Sequence, residues 1–212
     1  MIKNIFFDFN GTLLDDTELC CDIEQEMMEQ NGLRPYTMQE YLDKFFFPVK
    51  DYYEFIGIKN ENFLDAASFF NQEYFTRWPK ETHLYNGVIE SLDELKKAGY
   101  RLFVLSATKQ DFLDEQLKFL GVYDYFEGTC GARNDLGGSK IKYGKAYAKI
   151  HNVNPNETIM IGDTIHDYEV SKELGFNCSL FTQGHNSKWR LQNLGVKTFD
   201  SFKDLEKIVK TF

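Results

Sequence analysis

The chain has 212 residues, with 33 acidic and 24 basic side chains and a net charge of −9. This length allows one large domain or a core with a small second domain, and the absence of a Lys/Arg-rich block argues against a nucleic-acid partner. The four cysteines show no disulfide or metal-binding spacing, so we interpret them as reduced thiols. No apolar run is long enough to span a bilayer and the start does not resemble a signal peptide, so we expect a cytoplasmic protein without a membrane partner.

The first segment with a clear structural pattern is an apolar run that begins at Ile5 and predicts a buried strand. Asp8 follows this run, Asn10 and Gly11 predict a turn, and Thr12 comes next. A carboxylate at this point would lie at the carboxyl end of a strand, where open α/β sheets bind their ligands. A simple turn in which Asp8 caps the backbone fits this segment equally well.

Residues 16–81 show a helical pattern and lack any good strand. A first helix starts at Thr17 and ends at Gly32, and the sequence from Thr37 to Glu40 has the pattern of a capping box that opens a second helix. Pro48 should stop this helix. A third helix is predicted over 49–56, and a fourth starts near residue 60.

Beyond residue 84, predicted helices alternate with short apolar strands. This alternation argues for a parallel sheet that is covered on both faces by helices, and therefore for an α/β fold. The helices are predicted over 86–98, 109–120, 141–151, 166–174, 187–194 and 202–209. The strands are predicted over 101–105, near Phe126, and over 158–161, 178–181 and 197–199.

The strand at Ile5 should belong to this same sheet, which makes the helical segment an insertion between the first and second strands. We therefore predict a core of residues 1–15 and 83–212 and a helical cap of residues 16–82. A block that is tethered by two linkers over the ends of the strands is well placed to act as a lid.

Polar residues follow several of the predicted strands at what should be one edge of the sheet. Ser106 follows the strand at 101–105, and Asp163 and Asp167 follow the strand at 158–161. Lys140, in the sequence Gly-Gly-Ser-Lys, comes directly before a predicted helix. Together with Asp8, the carboxylates would repel one another unless a hard divalent cation joined them, and oxygen ligands beside a phosphate group suit Mg²⁺.

This set of motifs resembles the haloacid dehalogenase superfamily, in its phosphatase branch with a helical cap, and is most similar to the phosphoglycolate phosphatase group. The resemblance rests on the first motif, Asp8 to Thr12, and the last, Gly162-Asp163 to Asp167, in the correct order. It implies a Rossmann-like parallel sheet with an inserted all-helical cap. It also implies a Mg²⁺-dependent phosphatase that acts on a small phosphorylated metabolite.

The resemblance further implies a role for each matching residue. Asp8 would attack phosphorus and form an aspartyl-phosphate, while Ser106 and Lys140 would bind the phosphoryl group. Asp163 would bind Mg²⁺ directly, and Asp167 would bind it through water or orient Lys140. The implied metal ligands are Asp8, the backbone carbonyl of Asn10, Asp163 and Asp167, and the implied phosphate-binding residues are Gly11, Thr12, Ser106, Ala107 and Lys140.

Position 10 departs from the pattern of the family's phosphatases, which usually carry a second aspartate there as the acid–base group. An amide cannot transfer a proton in this way, and losing such a group typically costs ~10²–10⁴ in rate. Three explanations of Asn10 are open. Asn10 is an introduced substitution, or it is native in a phosphatase that is slow or that uses another acid–base group. In the third explanation, Asn10 is native in a protein that binds a phosphorylated ligand without turnover. The sequence does not separate these explanations.

One further alternative is a phosphonate hydrolase, because these relatives also lack the second aspartate and use a cap lysine as a Schiff base. Lys50 lies about where such a lysine would fall. We favour the simpler interpretation of Lys50 as a charge on a helix surface. The identity of the substrate and the oligomeric state are not predictable from the sequence.

Overall fold

The computed structural model describes residues 1–133 and 140–212. Ten α-helices and eight strands occur within these residues, and none of these helices combines the length and apolar character that a membrane crossing requires. The helices are α1 (Thr17–Gln30), α2 (Met38–Lys44), α3 (Val49–Phe55), α4 (Phe63–Glu81), α5 (Val88–Lys97), α6 (Gln110–Phe119), α7 (Lys140–Ile150), α8 (Ile165–Leu174), α9 (Lys188–Gln192) and α10 (Leu205–Val209). The strands are β1 (Asn4–Phe7), β2 (Leu14–Asp15), β3 (His83–Leu84), β4 (Arg101–Lys109), β5 (Gly128–Ala132), β6 (Thr158–Gly162), β7 (Asn177–Phe181) and β8 (Lys197–Phe199).

Six of the strands in the described residues form one parallel sheet, in the order β5-β4-β1-β6-β7-β8. β1 lies in the middle, between β4 and β6, so its carboxyl end opens at the centre of one sheet edge. The chain reverses its direction of travel across the sheet at β1, which is where open α/β sheets bind ligands. The predicted α/β fold with a parallel sheet is therefore confirmed.

The two faces of the sheet bury alternate residues of the central strands. Ile5 and Phe7 of β1 belong to one hydrophobic cluster, with Val104 of β4, whereas Phe6 of β1 belongs to the cluster on the other face, with Phe103. Successive side chains of a strand point to opposite faces, and both faces here are covered by helices. This explains why the strands have continuous apolar sequences rather than alternating ones.

The helices α1 to α4 form a separate group, which we call the helical insertion (residues 17–81). The short antiparallel pair of β2 and β3 closes the two connections between the insertion and the sheet. Two clusters of buried side chains hold the insertion together, and one of them contains Ile23, Tyr41 and Trp78. Thr37 and Glu40 form the predicted capping box of α2. The assignment of residues 16–82 as a cap that moves over the sheet edge stays a prediction.

Two strand boundaries differ from the sequence prediction. β4 continues past Leu105 to Lys109, with an irregular register against β5 between these two residues. The strand predicted near Phe126 begins instead at Gly128, which pairs with Phe103. The ring of Phe126 packs against Phe7 in the core, so this apolar residue serves packing rather than strand pairing.

Glu24 of α1 is a buried acid within the helical insertion. The hydroxyl of Tyr52 donates a hydrogen bond of 2.6 Å to its Oε1. Burial raises the pKa of Glu24 from 4.5 to about 7 in spite of this bond. Because the folded-state pKa lies above that of the unfolded chain, the contribution of Glu24 to stability is most favourable below pH 4.5 and declines as the pH rises to 7, by up to about 3 kcal/mol.

We expect Glu24→Gln to remove this pH dependence, because the amide stays neutral and its oxygen can still accept from Tyr52. The free energy of unfolding in urea, measured at pH 5 and at pH 8, should fall less for the variant than for the parent protein. An equal fall in both proteins would contradict the assignment of the titration to Glu24.

Candidate functional site

The centre of the site is an ion triad at the carboxyl end of β1. Lys140, the first residue of α7, donates hydrogen bonds to Asp8 Oδ1 at 2.7 Å and to Asp167 Oδ1 at 2.6 Å. Lys140 is 3% exposed and both carboxylates are buried. The three side chains come from the loop after β1, from α7 and from α8, so the triad joins three separate parts of the core.

Asp167 is fixed by the start of its own helix. Its Oδ2 accepts hydrogen bonds from the backbone N–H groups of Asp163 and Thr164 and from the Thr164 hydroxyl, at 3.1, 3.0 and 2.7 Å. Thr164 and Asp167 together form a capping box at the N-terminus of α8. With its other oxygen on Lys140, Asp167 is well placed to hold the lysine in position.

Asp163 lies beneath the first loop and is fully buried. Its Oδ1 accepts a hydrogen bond of 2.6 Å from the Thr12 hydroxyl, and its Oδ2 accepts one of 2.7 Å from the backbone N–H of His185. Gly11 has a φ of +70°, and a Cβ at this position would overlap both Asp163 and the His185 ring. Glycine is therefore required at position 11 both for its backbone conformation and for space.

The electrostatics of the triad favour a charged lysine. Burial alone would lower the pKa of Lys140, but the charges of Asp167 and Asp8 outweigh burial and raise it. Burial raises the pKa of Asp8, and Asp167 raises it further, while Lys140 opposes both effects. Burial likewise raises the pKa of Asp163. Asp8 and Asp163 are both buried, so their negative charges are costly unless positive charge lies close to them.

Ser106 lies on the irregular stretch of β4, directly beside Ala107 and Thr108. It is 3% exposed, and its Oγ accepts a hydrogen bond of 3.0 Å from the backbone N–H of Thr108. Ser106 and Ala107 line the same cavity as Asp8 and Lys140. The register shift after Leu105 turns this part of the strand toward the site instead of continuing the regular ladder.

The side chain of Asn10 is bound at both ends. Its Nδ2 donates to Asp16 Oδ2 at 2.7 Å and to the Tyr74 hydroxyl at 2.8 Å, and its Oδ1 accepts from the Thr108 hydroxyl at 2.7 Å. Tyr74 also donates to Asp16, at 2.7 Å. Asn10 thus connects the first loop with β4 and with α4 of the helical insertion. An amide suits this place because it can donate to one neighbour and accept from another.

Asp16 is the buried acid at the centre of this network. Its Oδ1 accepts the backbone N–H of Gly11 at 2.8 Å and lies 3.3 Å from His185 Nε2. Burial raises the pKa of Asp16, but the hydrogen bonds from His185, Asn10 and Tyr74 outweigh burial and hold the pKa below its usual value. Asp16 is therefore an anion surrounded by donors.

His185 balances the charge of Asp16. Its Nδ1 is 2.8 Å from the hydroxyl of Tyr41, on α2. Burial alone would lower the pKa of His185, but the hydrogen bond and charge of Asp16 raise it to about 9. The imidazolium and Asp16 thus form a second buried ion pair beside the triad, and this pair also joins the core to the helical insertion.

In the described residues, two groups of three acidic, histidine or cysteine side chains have ligand atoms within 4.8 Å of one another. Both groups are buried. The first is Asp8, Asp163 and Asp167, a set of hard oxygen ligands. The second is Asp16, Cys20 and His185. Burial raises the pKa of Cys20 well above its usual value, so its side chain is a neutral thiol. The other two members, Asp16 and His185, already form an ion pair with each other. The first group is the better candidate for a divalent cation.

A cavity of about 1040 Å³ lies between the sheet edge and the helical insertion. Asp8, Ser106, Lys140 and Asp167 line it on the side of the core. Side chains of α2, α3 and α4 line the opposite side. The reactive groups therefore lie at one end of a space that is much larger than a phosphate ion.

Residues 5–181 match the family described as haloacid dehalogenase-like hydrolase. The chain belongs to this family. The match begins with β1 and ends with β7, so it spans the site and the helical insertion.

Curated relatives cover most of the chain at low identity. Pyrophosphatase PpaX of Bacillus velezensis is 28% identical over 176 residues, which is 82% of this chain and 80% of the relative. A phosphoglycolate phosphatase of Psychrobacter arcticus is 24% identical over 95% of this chain and 93% of its own. A solved structure of a predicted phosphatase from Clostridium acetobutylicum has a TM-score of 0.86 and 20% identity, with full coverage of both chains, and it supports the fold.

The structure brings together the residues that the sequence places at the site of this haloacid dehalogenase-like chain. The ion triad contains Asp8, Lys140 and Asp167, and Asp163 lies beside it. Gly11 and Thr12 lie in the same loop, but the Gly11 N–H donates to Asp16 and to the Leu14 carbonyl, and the Thr12 hydroxyl donates to Asp163. Their predicted role as phosphate ligands stays a prediction. The Gly-Gly-Ser sequence before Lys140 lies outside the described residues.

Lys50 and His166 also line the cavity. Lys50 is an exposed residue of α3, which is consistent with either interpretation of its role. His166 is half-buried, and its ring stacks on Phe47 at 4.9 Å between centroids. A side chain at the start of a helix is often exposed, but the ring of Phe47 covers that of His166.

Sequence reasoning missed four residues around Asn10, because each comes from a segment with an ordinary structural explanation. In the sequence, Asp16 lies at the end of a loop, and His185 has no other metal-binding residue type at a typical ligand spacing. The available signal was position, since His185 follows the carboxyl end of β7 by only four residues and so lies at the same sheet edge. The four residues are Asp16, Tyr74, Thr108 and His185.

We expect Asn10→Asp to destabilise the protein at neutral pH, because the new carboxylate would face Asp16 across a distance of about 2.7 Å. In the unfolded chain, both acids have a pKa of about 4, and in the folded variant the pKa of one of them would be higher. The loss of stability should therefore grow as the pH rises. Chemical denaturation should show a loss of about 2–4 kcal/mol at pH 8 and a smaller loss at pH 5.

The control exchanges the two groups. The double variant Asn10→Asp, Asp16→Asn again places one amide beside one carboxylate, so it should recover most of the stability that the single variant loses at pH 8. A single variant that is as stable as the parent protein at pH 8 would show that the pairing of Asn10 with Asp16 is not required.

Proposed function

We propose that this chain is a phosphatase that hydrolyses a small phosphate monoester by attack of Asp8 on phosphorus. The observation that carries the proposal is the position of Asp8, with one oxygen held by Lys140 at the end of a cavity that Ser106 also lines. The proposal is supported by membership of the hydrolase family and by the similarity to a pyrophosphatase and a phosphoglycolate phosphatase.

In this mechanism, an oxygen of Asp8 forms a bond to phosphorus while the bond from phosphorus to the ester oxygen breaks. The products are an aspartyl-phosphate and the alkoxide or phenolate of the substrate, which takes a proton from water. Water then attacks the aspartyl-phosphate, which releases phosphate and restores Asp8. Lys140 and the Ser106 hydroxyl stabilise the negative charge on the phosphoryl oxygens.

We propose Mg²⁺ as the cofactor. The three buried carboxylates of the first group provide hard oxygen ligands that lie close together, and burial raises the pKa of Asp8 and of Asp163. Asp8, Asp163 and the backbone carbonyl of Asn10 are the proposed direct ligands. One oxygen of Asp167 accepts from Lys140 and the other caps α8, so we propose that Asp167 acts on the metal through water or through Lys140. When bound, the cation would neutralise charge on the phosphoryl group.

Asn10 limits the rate in this proposal. An amide neither protonates the leaving alcohol nor activates the water that attacks the aspartyl-phosphate. Its fit between Asp16, Tyr74 and Thr108 supports a native asparagine rather than a substitution that was introduced to silence the protein. The second step should therefore be slow, and substrates with good leaving groups should react fastest in the first.

The proposal includes the arrangement of the chain. Residues 1–15 and 83–212 form the catalytic core, and residues 16–82 form a cap that covers the cavity. The substrate is a small phosphorylated metabolite in the cytoplasm. The competing proposal is a protein that binds a phosphorylated ligand with little or no turnover, and the two are separated by whether Asp8 becomes phosphorylated.

The test of this function uses 4-nitrophenyl phosphate with Mg²⁺ in a rapid-mixing experiment. We expect a burst of about one nitrophenol per active site, followed by a rate that is ~10²–10⁴ lower, because the first step needs no acid and the second step lacks its base. Mass spectrometry of the quenched protein should find the phosphate on Asp8.

Two variants control this experiment. Asp8→Asn should remove both the burst and the label, whereas Asp204→Asn, at an exposed position far along the sequence, should retain both. A protein that binds phosphate esters but shows no burst and no label would favour the binding protein over the phosphatase.

The metal proposal predicts thermal stabilisation by Mg²⁺. At about 100 times its dissociation constant, the cation should stabilise the folded protein by about 2.7 kcal/mol, because it binds the folded site and not the unfolded chain. Melting curves in Mg²⁺ and in a chelator should differ for the parent protein and for Asp204→Asn, and should coincide for Asp163→Asn. Equal melting temperatures for the parent protein under both conditions would overturn the proposed site.

A further inference from the structure

The cavity beside Asp8 is larger than the phosphoryl group requires. Its volume of about 1040 Å³ is at the upper end of the range of roughly 300–1,000 Å³ that is usual for sites of drug-sized ligands. A site for a two-carbon acid phosphate or for pyrophosphate would need only a small part of this space. The remaining volume lies on the side of the helical insertion and must be matched by the alcohol part of the substrate.

The wall of this space is mainly aromatic. Phe63 and Phe70 are two turns apart on the same face of α4, and the loop between α2 and α3 adds Phe45 and Phe47. The rings of Phe45 and Phe47 contact each other edge to face, with 5.2 Å between centroids. Flat faces and edges of this kind favour contact with another aromatic ring.

The charged groups of the wall do not suit a second anion. Lys140 is engaged by Asp8 and Asp167, and His185 is engaged by Asp16. The ring of His166 stacks on Phe47, with 4.9 Å between the ring centroids. None of the described residues that line the cavity is an arginine. The other cations in this set are the exposed Lys50 and Lys109, and the carboxylates of Glu24, Asp111, Glu115 and Glu169 line the same wall.

We propose that the substrate is a phosphate monoester whose alcohol part is an uncharged aromatic group, held between the rings of α4 and of the loop that contains Phe47. This inference rests on the proposed phosphatase function and names the class of its substrate. The proposal separates this chain from a pyrophosphatase or a phosphoglycolate phosphatase, because the second anionic group of their substrates would meet two exposed lysines among four acidic side chains.

The first test measures binding without turnover. Calorimetric titrations with Mg²⁺ would compare three phosphonates, namely naphthylmethylphosphonate, ethylphosphonate and phosphonoacetate. We expect the naphthyl compound to bind at least about tenfold more tightly than either of the others, because its ring replaces water against the aromatic wall. Equal or tighter binding of phosphonoacetate would overturn the proposed substrate class.

The second test removes one ring of the wall. Phe47→Ala should weaken the binding of naphthylmethylphosphonate by about tenfold. The affinity for ethylphosphonate should be unchanged, because this small compound occupies only the phosphoryl end of the cavity. Phe55→Ala is the matched control, since Phe55 is an exposed ring of the insertion at 59% exposure and lies outside the cavity wall. If Phe47→Ala does not fold, Phe70→Leu provides the same comparison on α4. Equal binding of the naphthyl compound by the parent protein and the cavity variant would contradict the proposal.

Hydrolysis separates failure of the substrate class from failure of the phosphatase function. The comparison uses naphthylmethyl phosphate, phosphoglycolate and pyrophosphate, with kcat/KM for phosphate release as the readout, because this ratio reports the first step even when the second step limits turnover. The highest kcat/KM with the naphthyl ester supports both proposals, and the highest value with phosphoglycolate or pyrophosphate overturns the substrate class but retains the phosphatase. Selective binding of the naphthyl phosphonate without release from any ester supports the ligand class and overturns the phosphatase.

Discussion

The central constraint on this structure is that several acidic side chains are buried together at one edge of the sheet, and their charges must be balanced for the protein to stay folded. An unpaired buried charge is costly, and Asp8, Asp163 and Asp167 lie close together at the ends of β1 and β6. Lys140 offsets part of this cost through two short hydrogen bonds, and the N-terminus of α8 satisfies the rest of Asp167. The position of α7 against the sheet is therefore tied to the charge of the site.

A second ion pair ties the helical insertion to this centre. Asp16 and His185 face each other where the insertion meets the core, and Tyr41 and Tyr74 reach them from α2 and α4. Asn10 joins the same network, because its amide can donate to Asp16 and accept from Thr108 at the same time. Asn10 thus contributes to the contact between the two parts of the chain.

The cavity divides chemistry from selectivity. Groups of the core that can act on a phosphoryl group line one end, and their arrangement follows from the ends of parallel strands. Rings of the insertion line the other end of the cavity.

The sequence by itself determined the parallel sheet, the helical insertion and the positions of Asp8, Lys140 and Asp163, because strand ends and glycine turns are local patterns with a fixed geometric meaning. Only the tertiary structure decided what surrounds Asn10. Asp16 and His185 are separated by more than 160 residues along the chain and meet only after the insertion packs on the core. Periodicity reports which face of an element is buried and says nothing about which buried polar groups will meet. Such pairings depend on distances that exist only in the folded chain.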